Sequence, residues 1–134
     1  MSTYSIKQYA DSDFEMIKSW WSYYGDVLPT RDLLTPDTNF ILFVDAVPTL
    51  SLSLFLTNCK GIAYIANFVS NPLTTSEQRL PASPVLFHYV YEVAKSMGFK
   101  RVQCLAPNKK LRDRYVECGM TPILSGLVSM TREI

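Results

Sequence analysis

The fold is decided by the stretch NKKLRDRYVECGM, which spans residues 108–120. Its apolar residues recur at helical spacing, so residues 108–118 predict a helix whose apolar face carries Tyr115 and Cys118. A short strand is predicted just before it, at residues 101–105. A strand that leads into a helix here indicates that the C-terminal half of the chain is built from β-α-β crossovers.

A longer helix is predicted upstream, from Ala82 to about Gly98. Its apolar stripe consists of Leu86, Val90, Val93 and Met97. Pro81 and Pro84 are compatible with this helix because both fall before it or within its first turn, where a missing N–H is tolerated. The polar residues 71–84 predict a loop that leads into the helix.

The N-terminal half combines one amphipathic helix with several strands. Ser12 and Glu15 have the spacing of a capping box, so the helix is predicted to begin there and to end near Gly25. Strands are predicted in this half at residues 4–9, 40–44, 49–57 and 62–69, together with a short helix at 31–34. A final strand is predicted near the C-terminal end of the chain, at residues 124–131. The order is β-α-(α)-β-β-β-α-β-α-β, which predicts an α/β fold with a mixed, mostly antiparallel sheet flanked by helices.

The composition limits the class of protein. The 134 residues fit a single domain, residues 1–134, and 48% of them are apolar, which is enough for an ordinary core. No apolar run approaches the ~20 residues of a membrane-spanning helix, and the first residues do not resemble a secretory signal. Three widely spaced cysteines and a single histidine, His88, argue against disulfides and a metal site, and predict a cytoplasmic protein.

Charge is divided unevenly along a chain whose net charge is only +1. Seven of the thirteen Lys and Arg residues lie between Lys95 and Arg114, whereas residues 1–45 carry seven acids and three bases. This division suits a phosphate-rich ligand on one side and a cationic group on the other, although solvated faces explain it equally well. The near-neutral chain, and the lack of interleaved aromatics at residues 109–114, argue against nucleic-acid binding.

The pattern Asn-x-x-Leu-x-x-x-Tyr-x-x-x-Gly-Met at residues 108–120 resembles the N-x-x-A-x-x-x-Y-x-x-x-G-F segment of the GNAT family of N-acetyltransferases. Residues 94–102 are similar to the end of that family's preceding helix. Counting back from there places residues 78–83, QRLPAS, on the family's Q/R-x-x-G-x-G/A signature, with Pro81 and Ser83 replacing both glycines. Residues 68–72 also resemble small acetyltransferase-like proteins of phage and prophage genomes.

The resemblance implies the GNAT fold and transfer of an acetyl group from acetyl-CoA to an amine of unknown identity. The signature loop would hold the cofactor pyrophosphate at a helix start, where free N–H groups attract anions. Pro81 has no N–H, so one donor is lost, at about 1.5–3 kcal/mol if nothing compensates. The cofactor contacts implied by the resemblance are Phe68, Val69, Gln78, Arg79, Leu80, Ala82, Ser83, Asn108 and Tyr115.

The same resemblance makes Tyr115 the general acid for the leaving thiolate and the backbone N–H of Val69 the oxyanion donor. A tyrosine buried on an apolar helix face is the competing interpretation of Tyr115. A general base is not evident, because the strand at residues 62–69 offers only Tyr64 and Asn67. The open alternatives are a water relay, a substrate that arrives deprotonated, Asp26 and Asp32.

A second function stays open beside the enzyme: a non-catalytic GNAT-shaped protein that acts through a protein partner. The replaced glycines and the missing base favour this alternative, whereas Asn108 and Tyr115 favour the enzyme. His88 is expected on a solvated face with its helical neighbours. The aromatic residues Trp20, Trp21, Tyr23 and Tyr24 are expected in the core, or as a wall of the acceptor site. A homodimer is a further expectation.

Overall fold

The computed structural model describes residues 1–27, 29–34, 36–128 and 130–134. In chain order, its elements are β1 (Tyr4–Gln8), a short 3-10 helix (Asp11–Asp13), α1 (Phe14–Tyr24), a second 3-10 helix (Arg31–Leu33), β2 (Asn39–Val44), β3 (Val47–Phe55), β4 (Ala63–Ser70), α2 (Ser76–Ser96), β5 (Val102–Gln103) and α3 (Lys109–Glu117). These elements confirm the predicted mixed α/β fold. None of the helices in the described ranges is long and apolar enough to cross a membrane.

The sheet has five strands, which lie side by side in chain order. β1 to β4 are antiparallel and β5 is parallel to β4, so α2 serves as the crossover that a parallel pair requires. Side chains alternate between the two faces: Phe40 and Leu42 of β2 pack toward α2 and α3, whereas Ile41 packs toward α1. Helices therefore cover both faces of the sheet.

α2 begins at Ser76, six residues before its predicted start. A capping box fixes this position: Thr75 Oγ1 accepts the Gln78 N–H at 3.3 Å, and Gln78 Oε1 accepts the Thr75 N–H at 2.8 Å. Pro81 is therefore the sixth residue of the helix, beyond the first turn, where its ring removes a helical hydrogen bond. The loop predicted at residues 71–84 ends at Thr75.

The start of α1 also differs from its prediction, because Asp13 organises it and Ser12 does not. The Asp13 carboxylate accepts the Ala10 N–H at 2.9 Å and pairs with Lys7 Nζ at 2.7 Å. Ser12 lies in the preceding 3-10 turn. Gly25 ends the helix as predicted, with a φ of +69° that few other residues adopt.

The strand predicted at residues 124–131 does not form within the described part of the chain, which covers that range except for Ser129. Gly126 has a φ of +74°, which interrupts extended backbone. β5 is only two residues long and offers little edge for another strand to pair with. The exposed apolar side chains of this tail include Ile123, Leu124, Leu127 and Val128.

Candidate active site

A cleft opens where β4 and β5 separate. The two strands pair only at Ala63 with Val102 and at Tyr64 with Gln103. β5 ends there, whereas β4 continues to Ser70 with only β3 beside it among the described residues. The backbone groups that this second half of β4 turns away from β3 are not used by a neighbouring strand. We call this gap the β4–β5 cleft.

β4 carries a bulge beside the cleft. The β3–β4 register shifts between Ser51 and Ser53, so Asn67 and Phe68 lie opposite a single residue of β3. Asn67 has a φ of +55°, a left-handed conformation that is uncommon without glycine. Its Nδ2 donates to Ser53 Oγ at 3.0 Å, which helps to hold the bulge in place. Bulges redirect backbone groups and are frequent beside active sites.

The register also fixes the direction of the backbone N–H groups after the bulge. The Asn71 N–H donates to Thr49 O at 2.8 Å, so these residues form a hydrogen-bonded pair of the antiparallel ladder. Because such pairs alternate, the Val69 N–H points to β3 and the Ser70 N–H points to the cleft. Val69, expected as the oxyanion donor, thus directs its amide into the sheet and its side chain toward α1.

Tyr115 of α3 lies against the bulge. Its ring centroid is 6.0 Å from that of Phe68 and 5.5 Å from that of Phe87. The residue is only 8% exposed, and this burial raises the pKa of its hydroxyl above the ordinary value of 10.0. The hydroxyl has no hydrogen-bond partner in the described ranges and retains contact with solvent. A protonated, unpartnered hydroxyl is available to a ligand as a proton donor.

The helix starts near the cleft hold two of the predicted cofactor contacts. Asn108 caps α3, where its Oδ1 accepts the Leu111 N–H at 2.9 Å. Gln78 belongs to the capping box of α2. Their side-chain oxygens are therefore engaged, and their amide nitrogens are the groups that a cofactor would meet. The first two N–H groups of α2, those of Ser76 and Glu77, have no helical acceptor.

Residues 78–83, expected as a pyrophosphate loop, lie inside α2. Ala82 and Ser83 are buried, and Ser83 Oγ donates to Arg79 O at 2.9 Å. Leu80 is exposed at the surface of the helix. Because helical N–H groups point along the helix axis to the preceding turn, those of this segment do not form an open cradle. The expectation of a loop here is wrong.

Arg79 and Arg114 bring two positive charges to the open half of the cleft. One Arg79 Nη atom is 3.4 Å from Ser70 Oγ and 3.3 Å from Tyr24 Oη, and these two hydroxyl oxygens are 2.9 Å apart. The Arg114 Cζ lies 5.8 Å from the ring centroid of Phe68. Burial and the charge of Arg79 lower the pKa of Arg114. We call Tyr24, Ser70, Arg79 and Arg114 the arginine cluster.

Two members of this cluster, Ser70 and Arg114, could not be identified from the sequence. Arg79 is one of the expected cofactor contacts. Tyr24 belongs to the aromatic group that is expected in the core or as a wall of the acceptor site, and of that group only Trp20 is fully buried. The signal that could have found Arg114 is the run of bases that begins at Lys95. Only the fold shows that the end of this run lies beside β4.

Other residues considered for chemistry lie elsewhere. His88 is exposed on α2, edge-on to Tyr91 with ring centroids 5.3 Å apart. Asp32 lines a hollow at the C-terminal end of β3, beside the paired beginning of β4. Asp26 is exposed and lies two residues after Tyr24 in the chain.

Two of the three thiols lie near Tyr115 and are poor nucleophiles. Burial raises the pKa of Cys104 to about 11 and that of Cys118 to about 11, so both are protonated at neutral pH. Covalent catalysis by either thiol is therefore not favoured.

Similar proteins were found through structure and not through sequence. No protein-family model matches the chain, and no curated protein sequence is similar to it. A Mycobacterium tuberculosis protein solved with CoA superposes with a TM-score of 0.73 at 14% identity, over 93% of this chain and 76% of that one. An aminoglycoside acetyltransferase from an uncultured soil metagenomic sample, in complex with sisomicin, gives 0.70 at 15% identity, over 98% and 96%.

The N-acetylglutamate synthase of Neisseria gonorrhoeae, complexed with coenzyme A and L-arginine, gives a TM-score of 0.68 at 18% identity over 85% of this chain. This chain spans only 26% of that longer protein. These superpositions are consistent with the order of the strands in the sheet. They are also consistent with the cleft that opens after the first paired residues of β4 and β5. The chain has the fold of the GNAT acetyltransferases.

Proposed function

We propose that the chain is an acetyl-CoA-dependent acetyltransferase that acts on an amine. One observation carries the proposal: the ring of Tyr115 packs against Phe68 of the β4 bulge, and two residues further along the open half of β4 the Ser70 N–H faces the cleft. These are a hydrogen-bond donor for a carbonyl and an acid for a leaving group. That similar folds were solved with CoA supports the choice of cofactor.

In this mechanism the acceptor nitrogen attacks the thioester carbonyl, and negative charge develops on the carbonyl oxygen. The Ser70 N–H, and the backbone at Phe68, would stabilise that charge in place of the expected Val69 N–H. As the carbon–sulfur bond breaks, Tyr115 donates its proton to the coenzyme A sulfur. Tyr115 holds this proton at neutral pH, and because burial raises its pKa and so weakens it as an acid, the charge that develops on sulfur must drive the transfer.

The acceptor must lose a proton before or during attack. The guanidinium groups of Arg79 and Arg114 form no ion pair among the described residues, so they act as uncompensated positive charges. Like charges disfavour the protonated form of an amine and lower its pKa. This effect would supply neutral amine without a dedicated base. The proton that the attacking nitrogen then loses would return through water to the Tyr115 phenolate, with Asp26 as the candidate carboxylate for that relay.

The cofactor contacts that we retain are Phe68, Gln78, Asn108 and Tyr115. Ser76 and Glu77 provide free N–H groups at the start of α2, a helix long enough to attract the pyrophosphate with its positive end. Buried Ala82 and Ser83 would support the helix rather than contact the cofactor. Arg79 and exposed Leu80 stay available at its surface.

The experiment is steady-state acetyl transfer by the wild type and by Tyr115→Phe, with free coenzyme A as the readout. Removing a general acid lowers kcat by about 10²–10⁴-fold, and by at least about tenfold if water substitutes in part. Because phenylalanine keeps the ring against Phe68 and Phe87, the melting temperature and the acetyl-CoA affinity should change little. Equal turnover in both proteins would exclude Tyr115 as the acid.

A non-catalytic protein that works through a partner is the second candidate. The observation that favours it is the helix through residues 78–83, which takes the place of the expected cofactor loop. This alternative predicts no saturable binding of acetyl-CoA and no acetyl transfer to any amine in a broad panel. Saturable binding with turnover would exclude it.

A further inference from the structure

The arginine cluster has more positive charge and more hydrogen-bond donors than its surroundings use. Arg114 is half-buried, yet the described residues give its guanidinium no carboxylate and no hydrogen-bond acceptor, only the face of the Phe68 ring. A guanidinium carries five N–H donors in a planar fork, which matches carboxylate and phosphate oxygens. Leaving such donors partly desolvated and unpaired is unfavourable.

Arg79 is held by contacts that are long for hydrogen bonds. It reaches Thr75 O at 3.3 Å, Tyr24 Oη at 3.3 Å and Ser70 Oγ at 3.4 Å, and it forms no ion pair within the described ranges. All of these acceptors are neutral, so none offsets its charge. The Ser70 and Tyr24 hydroxyls are themselves donors that can turn toward an anion.

Bringing two guanidinium groups together without a counter-ion is costly, and an anion between them would remove both the repulsion and the unpaired donors. We infer that Tyr24, Ser70, Arg79 and Arg114 form a binding site for an anionic group of the acceptor, a carboxylate or a phosphate. This inference rests on the proposed acetyltransferase function. It narrows the acceptor to amines that carry a negatively charged group.

The position of the cluster favours the acceptor over the cofactor as the source of this anion. Arg114 directly precedes Tyr115 and contacts Phe68, so the cluster borders the proposed reacting centre. The pyrophosphate of coenzyme A is separated from its sulfur by the whole pantetheine arm. Tyr24 also comes from α1, the helix on the face of the sheet opposite α2 and α3. The arginine cluster thus contains residues from both faces of the sheet, a position that suits the acceptor, which is the second substrate besides acetyl-CoA.

The first experiment measures acetyl transfer to two matched pairs of acceptors: glycine with glycinamide, and phosphoethanolamine with ethanolamine. The ratio of kcat/KM within a pair is compared between the wild type and Arg114→Gln, so that intrinsic amine reactivity cancels. Loss of a charge-assisted contact should lower this ratio about tenfold or more for at least one pair. Arg114→Lys keeps the charge and should retain part of the preference.

Arg112→Gln is the control, because Arg112 lies on the same helix, is exposed and neighbours Asp113. It should leave the ratio unchanged. A ratio that is equal in wild type and Arg114→Gln for both pairs would overturn the inference. The inference would also be overturned if Arg114→Gln weakened the binding of acetyl-CoA and left the ratio unchanged, because the anion would then belong to the cofactor.

A second readout does not depend on turnover. Inorganic phosphate, at constant ionic strength set with sodium chloride, should raise the melting temperature of the wild type and of Arg112→Gln by mass action, but not that of Arg114→Gln. The rise should persist when coenzyme A is present. A phosphate effect without any acetyl transfer would refute the proposed function and keep the anion site, whereas no phosphate effect, or its loss with coenzyme A, would refute the site.

Discussion

The two halves of β4 differ although they belong to one strand. The first half is closed: Ala63 and Tyr64 pair with β5, and the side chains of Ala63 and Ile65 are buried under α2. The second half is open: the bulge at Asn67 and the cleft-facing N–H of Ser70 have β3 on one side only. The strand is thus anchored at one end, and this rigid support positions donors at the other.

The largest expected effect comes from damage to the closed half. Ile65 is 4% exposed in the core under α2, so Ile65→Ala removes apolar contacts and leaves a cavity. The free energy of unfolding should fall by about 2–5 kcal/mol. Chemical denaturation followed by circular dichroism measures this loss. If Ile65→Ala changed the free energy of unfolding by less than about 0.5 kcal/mol, the closed half would not be the part of β4 that anchors the strand.

Pro81 tests how α2 is built behind the open half. Because it lies beyond the first turn, Pro81→Ala restores an N–H that can donate to Glu77 O and should raise the free energy of unfolding by about 1–3 kcal/mol. The acetyl-CoA affinity should not change, since the restored N–H lies within the helix. Tighter binding would instead show that residues 78–83 form the cofactor loop expected from the sequence.

The free energy of unfolding at alkaline pH depends on the buried tyrosines. Burial raises the pKa of Tyr115 beside the open half and that of Tyr91 on α2, so both tyrosines lose their protons first in the unfolded chain, near pH 10.0. Above that pH the native state holds more protons, and stability should fall by up to about 1.4 kcal/mol per pH unit for each tyrosine. Urea denaturation from pH 8 to 11 tests this.

Tyr115→Phe should make that decline shallower, whereas the exposed Tyr23 offers a control, Tyr23→Phe, that should leave the slope as it is. An unchanged slope in Tyr115→Phe would mean that burial does not raise the pKa of the Tyr115 hydroxyl, contrary to the position of this residue in the core.

The smallest effect on stability is expected at the open end. Ser70 Oγ meets Tyr24 Oη at 2.9 Å and Arg79 at 3.4 Å, contacts that water can replace. Ser70→Ala should therefore lower the free energy of unfolding by no more than about 1 kcal/mol. Measured beside Ile65→Ala, a loss of equal size would break the distinction between the two halves.

The sequence predicted the helices and the first four strands because their hydrophobic periodicity is strong. The chain of β-hairpins and crossovers followed from that order, and Gly25 correctly marked the end of α1. The errors in the starts of α1 and α2 share one cause, which is that cap chemistry depends on local competition. Ser12 and Glu15 had the spacing of a capping box, yet Asp13 took that role. Thr75 and Gln78 form the capping box of α2, which therefore begins at Ser76, six residues before its predicted start.

The candidate site was predictable only in part. Tyr115 and Asn108 stand in a recognisable pattern, so their positions beside the cleft could be anticipated. The direction of the Val69 and Ser70 N–H groups depends on a register shift that leaves no trace in residue type. The position of Arg114 beside Phe68 depends on how α3 packs against β4, and its only signal in the sequence is a run of bases.

Calorimetric titration of the wild type with acetyl-CoA tests the central claim, that the open half of β4 is a cofactor site, most directly. We expect saturable binding with one site per chain, accompanied by a rise in melting temperature that grows with ligand concentration. No heat of binding, and no shift of the melting temperature at millimolar acetyl-CoA, would contradict the claim.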